Sequence, residues 1–198
     1  MTMDAGARLG EEAARRLARL GRVEILPGLT DAEFARVEAE FGFTFAEDHR
    51  AFLSAGLPVA HPSPTLRRQP WPNWRDGDRD ELRASLASPV DGVLFDVEHN
   101  AFWTPAWGAR PTSPADALDA ARAELAAVPQ MLPVHSHRYL PAGRGTYGHP
   151  VLSIHQTDVI FYGAELADYI DQESHGSPRW DDASPPRATV PFWRDLVG

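Results

Sequence analysis

Cysteine and lysine are both missing from this chain of 198 residues. Without cysteine the protein has no disulfide bond, no thiolate ligand for a metal and no cysteine nucleophile, which fits a reducing compartment. Long apolar runs are missing too, since none approaches the ~20 residues of a membrane-spanning helix. The N-terminal residues carry no apolar segment of the kind found in a secretory signal peptide. We therefore expect a cytoplasmic protein.

Positive charge is scarce. The chain has 28 acidic against 19 basic residues, which gives a formal net charge of −9. A surface this acidic repels phosphate backbones and anionic lipids, so we expect neither a nucleic-acid partner nor a membrane partner. It suits a basic protein partner. All basic residues are arginine, and Ala, Gly and Pro are abundant, which points to a GC-rich bacterial source.

The common catalytic and nucleotide-binding motifs are absent from the sequence. It has no glycine-rich dinucleotide fingerprint, no Walker loop and no nucleophile elbow around a serine. Ser153 lies between apolar residues of a predicted strand and lacks the sharp turn that such an elbow needs. A carboxylate pair, Asp96 and Glu98, followed by His99 is the alternative candidate for acid/base chemistry. We expect no enzyme and no cofactor.

Helical patterns fill the first third of the chain. Apolar residues recur at helical spacing over 8–20, with charged residues elsewhere around the helix. Thr30 and Glu33 then form the pattern of a capping box, which predicts a second helix that ends at Gly42. A third, short helix is predicted over 46–54.

The middle of the chain changes character at 58–78, a loop rich in Pro and Gly that also holds two tryptophans. Its length predicts either a disordered segment or a functional loop, and Trp71 and Trp74 favour an ordered loop. Residues 92–97 alternate apolar and polar and predict a half-buried strand. Ser113, followed by proline and an acid, predicts a helix that runs to about residue 128.

Strand patterns dominate the next part of the chain. We predict one strand over 130–140, a hairpin from 151–155 and 159–162, and a final helix marked by Leu166, Tyr169 and Ile170. The tail from Ser174 is expected to lie over the surface and to dock through its apolar residues Phe192, Trp193 and Leu196. This order predicts a single-domain α+β fold, with a mixed or antiparallel sheet and helices packed mainly on one side.

Histidines provide the candidate metal site. His135 and His137 have the two-residue spacing that places both imidazoles on one face of a strand. His149 and His155 are candidates to approach from neighbouring strands, and three such histidines on one face would bind zinc with a carboxylate such as Asp158 as fourth ligand. This alternative predicts a metal-dependent hydrolase, but no metalloprotease motif accompanies the histidines, and the leading expectation is a protein without a metal.

Aromatic residues in predicted loops provide the candidate partner surface. Tryptophan is enriched in the residues that dominate protein–protein binding energy. The alternative is that these loops fold down and their indoles fill a satellite core. The residues predicted to bind a partner are Trp71, Trp74, Arg75, Asp96, Glu98, His99, Trp103, Trp107 and Arg138.

Three stretches together resemble the SUKH superfamily, the Smi/Knr type. The first is "LTDAEFARVEAEFGFTFAEDHRAFLSAGLP", with the pattern Glu38–Gly42 and then Phe52-Leu53. The second, "GVLFDVEHNAFWTPAWGARP", is similar to the central strand and tryptophan-rich loop of actinobacterial members. The third, "HPVLSIHQTDVIFYGAELADYI", is similar to the closing hairpin and helix. The family proline is replaced by Ala46, and the paired glycines are reduced to Gly56.

The resemblance implies an α+β interaction domain over 24–173, preceded by a helical extension over 1–23 and followed by the tail 174–198. It also implies function without catalysis, since many bacterial members are immunity proteins that bind and neutralise a nuclease or deaminase toxin. We therefore expect a protein-binding module of the immunity type with a basic toxin domain as partner. An intracellular scaffold or regulatory protein without a toxin is the further alternative.

Overall fold

The computed structural model describes residues 5–59, 71–175 and 189–198. Three helices come first. The short strand after the first helix pairs with the short strand after the third, and the two form an antiparallel ribbon. In chain order these elements are α1 Ala5–Leu20, β1 Glu24–Leu26, α2 Asp31–Phe41, α3 Glu47–Ala55 and β2 Leu57–Val59.

Two further helices precede a four-stranded antiparallel sheet, and one helix follows it. The strands neighbour each other in sequence order. These elements are α4 Arg79–His99, α5 Pro114–Leu125, β3 Met131–His135, β4 Arg138–Pro141, β5 Val151–His155, β6 Asp158–Gly163 and α6 Leu166–His175. The predicted single-domain α+β class is confirmed.

The start of α2 follows the predicted capping box. The Glu33 backbone N–H donates to Oγ1 of Thr30 over 3.3 Å, and the Thr30 N–H donates to the Glu33 carboxylate over 2.7 Å. Two of the N–H groups that a helix leaves unpaired at its start are satisfied in this way. Gly42 ends the helix with φ 75°, a left-handed conformation that glycine adopts without strain.

Helices α1 and α3 cross at close range because Gly10 lies at their contact. A Cβ atom at Gly10 would lie 2.1 Å from the carbonyl oxygen of Asp48 and 2.7 Å from Cβ of Ala51. Only a residue without a side chain permits this approach. The crossing buries Ala13 and Leu17 of α1, so the N-terminal helix contributes to the larger core.

The strand predicted over 92–97 is wrong, because these residues form the last turns of α4. Val93 and Val97 alternate as strand residues would, but they are also four apart and share one face of a helix. Asp78 starts α4 by accepting hydrogen bonds from the N–H groups of Asp80 and Glu81. Residues 60–70 of the predicted loop lie outside the described residues.

The single strand predicted over 130–140 is in fact a hairpin. β3 pairs with β4 antiparallel, and the chain turns at Ser136 and His137, with Ser136 at φ 53°. The hairpin predicted from 151–155 and 159–162 is confirmed, since β5 pairs with β6 through a turn at Gln156 and Thr157. Because the order is β3-β4-β5-β6, both turns lie at the same end of the sheet.

Helices cover both faces of the four-stranded sheet, more evenly than the sequence led us to expect. Leu152 and Ile154 of β5 belong to a core shared with Val93 of α4 and Leu125 of α5. The neighbouring Val151 faces the other way and belongs to the larger core, together with residues of α1, α2, α3 and α6. Because successive side chains point to opposite faces of the sheet, a strand contributes side chains to both cores.

The C-terminal residues 189–198 dock onto the sheet, as the pattern of their apolar residues predicted. Trp193 is fully buried in the second core, and Phe192 and Leu196 pack against it. A parallel bridge joins Val197 to Val159 of β6. In the part of the chain that the structure describes, no helix has the length and hydropathy needed to cross a membrane.

Candidate protein-binding surface

Two of the tryptophans predicted to bind a partner are instead part of the protein's own packing. Trp74 is fully buried against Phe41, Phe43 and Phe45, and Trp71 is 7% exposed. At these two tryptophans partner binding is therefore the wrong alternative, and burial is the right one, because both indoles belong to the larger core.

Arg75 fixes that loop to the start of α2. Its guanidinium forms an ion pair with Glu33 and donates to the carbonyl oxygens of Pro27 over 3.1 Å and Gly28 over 3.0 Å. The Arg75 hydrogen bond, followed by those from Thr30, lowers the pKa of Glu33 to about 2. With its donors used inside the chain, Arg75 is a positioning residue of the loop and a poor candidate for partner binding.

Asp96 is also internal, because a helix rather than a strand carries it. A helix turns about 200° between Asp96 and Glu98, so the two carboxylates point away from each other and the predicted acid/base pair does not form. Asp96 is 4% exposed and accepts from Thr157 N over 2.9 Å, Thr157 Oγ1 over 2.6 Å and Asn100 Nδ2 over 2.6 Å. It clamps the β5–β6 turn onto α4.

The electrostatics of Asp96 agree with this clamp. Burial on its own would raise the pKa of the carboxyl, but the hydrogen bonds from Thr157 and Asn100 outweigh burial and hold the pKa below its usual range. Gly92 completes the contact, since a Cβ there would lie 2.8 Å from Cα of Gln156. The turn therefore sits directly on α4.

Replacing Asp96 with alanine is expected to lower the free energy of unfolding by about 1–3 kcal/mol, because the two partly buried donors of Thr157 lose their acceptor. Urea denaturation at pH 7 measures the loss. Asp91→Ala, on the exposed side of the same helix, is the matched control and should change stability by less than about 0.5 kcal/mol. Equal stability of the two variants would show that the clamp contributes nothing.

The exposed side of α4 carries the residues that remain available to a partner. We call Asp91, Phe95, Glu98 and His99 the α4 ridge, since all four are exposed on consecutive turns. Phe95 is 46% exposed, and its ring lies 4.4 Å from the ring of His99 between centroids. Glu98 Oε2 lies 3.6 Å from His99 Nε2. An aromatic ring, an imidazole and two carboxylates thus share one convex surface.

The aromatic loop after α4 is held in a fixed conformation. Trp103 Nε1 donates to the Gly108 carbonyl oxygen over 2.9 Å, and its ring meets that of Trp107 edge-on at 5.2 Å. Arg110 ties the loop back to α4 by donating to the Val97 carbonyl oxygen over 2.7 Å. Trp103 and Trp107 are half-buried, and Trp103 lies only four residues beyond the ridge, within about 14 Å along the chain.

Negative charge is concentrated around this surface. Residues 91–125, which hold the ridge, the aromatic loop and α5, contain six carboxylates and two arginines. Of the six, only Asp96 is buried. The field of the ridge is therefore negative and favours approach by a positively charged surface.

Arg138 lies at the other side of the sheet, away from the ridge helix. Its guanidinium carbon lies 3.7 Å from the centre of the Tyr162 ring, and Nη1 donates to Oγ of Ser153 over 2.9 Å. These contacts place Arg138 between β4, β5 and β6 on the face that α6 covers. It does not join Glu98, His99 and Trp103 in one surface.

The four histidines of the predicted metal site do not converge. His135 ends β3, His137 lies in the β3–β4 turn, and His149 lies six residues before His155, about 20 Å in an extended chain. His135 stacks on Trp71 at 4.6 Å, and its Nδ1 lies 2.9 Å from the Tyr169 hydroxyl oxygen. Among the described residues, no three His, Asp or Glu side chains are placed to hold a metal ion.

Sequence reasoning missed Phe95, the most exposed aromatic ring of the α4 ridge. The strand assigned to 92–97 placed Phe95 on the buried face together with Val93 and Val97. Helical periodicity over 79–99 would have separated it from them, since Val93 and Val97 share a face that Phe95 does not. Glu98 and His99, in contrast, were among the predicted residues and are exposed here.

Comparison with known proteins adds no assignment. No protein-family model, no curated protein and no solved structure matches this chain. Function is therefore inferred from the chain's own residues and their contacts.

Proposed function

We propose that this chain is a non-enzymatic protein-binding module, an immunity protein of the SUKH type that neutralises a basic toxin domain of the nuclease or deaminase class. The observation that carries the proposal is the α4 ridge, where a large aromatic ring is 46% exposed between carboxylates. An isolated exposed aromatic is ordinary, but this one lies beside a rigid tryptophan-containing loop on the acidic part of the chain.

The composition of the ridge matches that of a binding surface. Aromatic residues are enriched in the parts of interfaces that dominate binding energy, and they lose little side-chain entropy on binding. Phe95 is already restrained by the ring of His99, and Trp103 by its bond to Gly108. Such preorganised rings lower the entropic cost of association.

The charge of the ridge selects the kind of partner. Lys or Arg of a partner would find the ring face of Phe95 for a cation–π contact and the carboxylates of Asp91 and Glu98 for ion pairs. Nuclease domains are a source of such cations because they must bind phosphate backbones. An acidic inhibitor that covers those cations blocks the substrate's path without any chemistry of its own.

Capture of the partner tests this proposal. The tagged protein is used to recover partners from the bacterium that encodes it, and the recovered proteins are identified by mass spectrometry. We expect a basic nuclease or deaminase domain whose activity falls when this protein is added. If the protein recovers no basic partner while the toxin gene is expressed, or recovers one without inhibiting it, the immunity proposal is overturned.

Phe95→Ala is expected to weaken binding of that partner at least about 10-fold, since truncation of a central aromatic costs more than about 1.4 kcal/mol. Tyr147→Ala is the matched control, because Tyr147 is also an exposed ring, 43% accessible, but lies beside α1. Binding is measured by calorimetry with both variants. If both variants lose affinity equally, or if Phe95→Ala loses none, the interface does not lie on the α4 ridge.

A further inference from the structure

The C-terminal residues 189–198, which we call the C-terminal strap, contact the aromatic loop as well as the second core. Trp193 of the strap is fully buried, and its Nε1 donates to the Pro129 carbonyl oxygen over 2.9 Å. The ring of the preceding Phe192 stacks on the ring of Trp107, within 8° of parallel and with the centroids 5.9 Å apart. The strap therefore joins the interior of the protein to the loop beside the α4 ridge.

The backbone of the strap is strained at Phe192. This residue has φ 67° and ψ −60°, and the Trp193 N–H donates across it to the Pro191 carbonyl oxygen over 2.9 Å. A γ-turn of this hand is rare, and a residue with a large side chain adopts it only where the surrounding structure imposes it. The turn directs two consecutive rings to different places, Trp193 into the core and Phe192 onto Trp107. Such an outlier indicates a constraint on where the Phe192 ring lies.

Trp107 is the centre of the packing within the aromatic loop. Its ring meets that of Trp103 edge-on at 5.2 Å and that of Phe102 edge-on at 5.9 Å. Edge-on and offset-stacked pairs at these distances are the favourable arrangements of aromatic rings. Phe192 of the strap adds a parallel contact on the face of the same indole. The loop is thus held to the strap through Trp107.

Trp103 depends on the position of Trp107 in a second way. Its Nε1 donates to the carbonyl oxygen of Gly108, which directly follows Trp107 in the chain. A shift of Trp107 therefore moves both the ring that Trp103 packs against and the acceptor of its hydrogen bond. Phe192 fixes Trp107, and through it Phe192 fixes Trp103.

We propose that Phe192 is a positioning residue of the candidate binding surface, and that docking of the C-terminal strap regulates partner binding by holding the aromatic loop in its binding conformation. This inference rests on the proposed function, because the loop lies beside the α4 ridge that would contact the partner. A preorganised loop lowers the entropic cost of association, whereas a loop that is ordered only on binding raises it. Loss of the stack between Phe192 and Trp107 then weakens binding even where the partner does not touch Phe192.

Three substitutions of Phe192 separate its ring from its bulk. Phe192→Ala removes the side chain, Phe192→Leu keeps apolar bulk without a ring, and Phe192→Tyr keeps the ring. All three carry a Cβ atom, so they retain the backbone strain of the turn and differ in what reaches Trp107. Leu196→Ala is the matched control in the strap, since Leu196 also packs against the second core but has no ring to stack on Trp107.

Two indole N–H groups report on the loop and the strap separately, without any partner. Those of Trp103 and Trp193 each donate to a backbone carbonyl oxygen, and NMR measures their exchange with water. In Phe192→Ala and Phe192→Leu we expect the Trp103 N–H to exchange at least about 10-fold faster, while the Trp193 N–H keeps its original rate. Phe192→Tyr and Leu196→Ala should leave both rates close to those of the original chain.

Calorimetry with the basic partner recovered by capture measures the effect on binding. Phe192→Ala and Phe192→Leu should weaken the affinity roughly 2- to 10-fold, the cost of ordering one side chain on binding, and Phe192→Tyr should restore it. A double-mutant cycle with Trp103→Ala separates positioning from direct contact. Since Phe192 acts through the loop, Phe192→Ala should cost no further affinity in the Trp103→Ala protein.

Three outcomes overturn the inference and leave the proposed function standing. If Trp103 exchanges at the same rate in Phe192→Ala as in the original chain, Phe192 does not hold the loop. If exchange rises but affinity for the basic partner is unchanged, the conformation of the loop does not control binding. If Phe192→Ala costs as much affinity in the Trp103→Ala protein as in the original chain, Phe192 does not act through Trp103. Recovery of no basic partner is a different result, because it overturns the proposed function and the inference falls with it.

Discussion

Replacing Trp193 with alanine is expected to lower the free energy of unfolding by about 3–5 kcal/mol, which is a large part of the stability of a domain this size. The indole is fully buried in the core between the sheet and α4, and its Nε1 donates to the Pro129 carbonyl oxygen over 2.9 Å. Alanine would leave a cavity and an unpaired carbonyl in the same place. Urea denaturation followed by far-UV circular dichroism measures the loss.

The matched control for Trp193 is Arg194→Ala. Arg194 is the next residue in the chain, and its exposed side chain forms its ion pair with Asp195. An exposed pair of this kind contributes little, so the change should be under about 0.5 kcal/mol. If Trp193→Ala were no more destabilised than Arg194→Ala, the C-terminal residues would not be part of the cooperative core.

Local chemistry made much of the fold predictable. The capping box at Thr30 and Glu33 and the left-handed Gly42 depend only on neighbours in sequence, and the structure contains both. The β5–β6 hairpin was predictable for the same reason, because alternation and a two-residue turn specify register within a dozen residues. Docking of the C-terminal residues was predictable because Phe192 and Trp193 are large apolar side chains, whose burial is favourable.

The strand over 92–97 was wrongly predicted because the spacing of its apolar residues fits both the two-residue period of a strand and the 3.6-residue period of a helix. Val93 and Val97 fit a strand over six residues and a helix over the longer stretch 79–99, and a proline such as Pro89 inside a helix is locally unfavourable. The structure keeps Pro89 inside α4 and buries it. The packing of α4 against α5 and the sheet, which no local window contains, outweighs the local cost of the proline.

The candidate site was only partly predictable, because burial depends on contacts between distant residues. Composition alone does not distinguish Trp74, which is buried under α2, from an exposed tryptophan in another loop. The bond between Asp96 and Thr157 joins residues 61 positions apart, and no spacing rule anticipates it. The exposure of Glu98 and His99 was predictable, because polar residues at the end of an element need no long-range contact.

Stability is expected to fall as the pH decreases from 7 to 5, by about 2 kcal/mol from His49 alone. His49 is fully buried, with the ring of Phe45 edge-on at 5.2 Å, and burial lowers its pKa to about 3. In the unfolded chain the same imidazole has a pKa of about 6.5. Between these two values the unfolded state binds a proton that the folded state does not, so acid favours unfolding.

The size of this effect grows steadily through that window. Each pH unit contributes up to about 1.4 kcal/mol, and the total reaches about 4 kcal/mol near pH 3.5. The neighbouring Asp48 acts in the opposite direction, because burial raises the pKa of its carboxyl and the folded state then takes up a proton more readily. Comparison with a His49 variant removes this and every other shared contribution.

His49→Leu is the variant of choice, since leucine fills a similar volume and does not titrate. Chemical denaturation at a series of pH values should show the original chain losing about 2 kcal/mol more than His49→Leu between pH 7 and pH 5. Ser54→Ala, on the exposed side of α3, is the control, because neither side chain titrates and the pH profile should parallel that of the original chain. Parallel pH profiles for the original chain and His49→Leu would mean that His49 is hydrated in the folded state, contrary to its burial between α3 and the ring of Phe45.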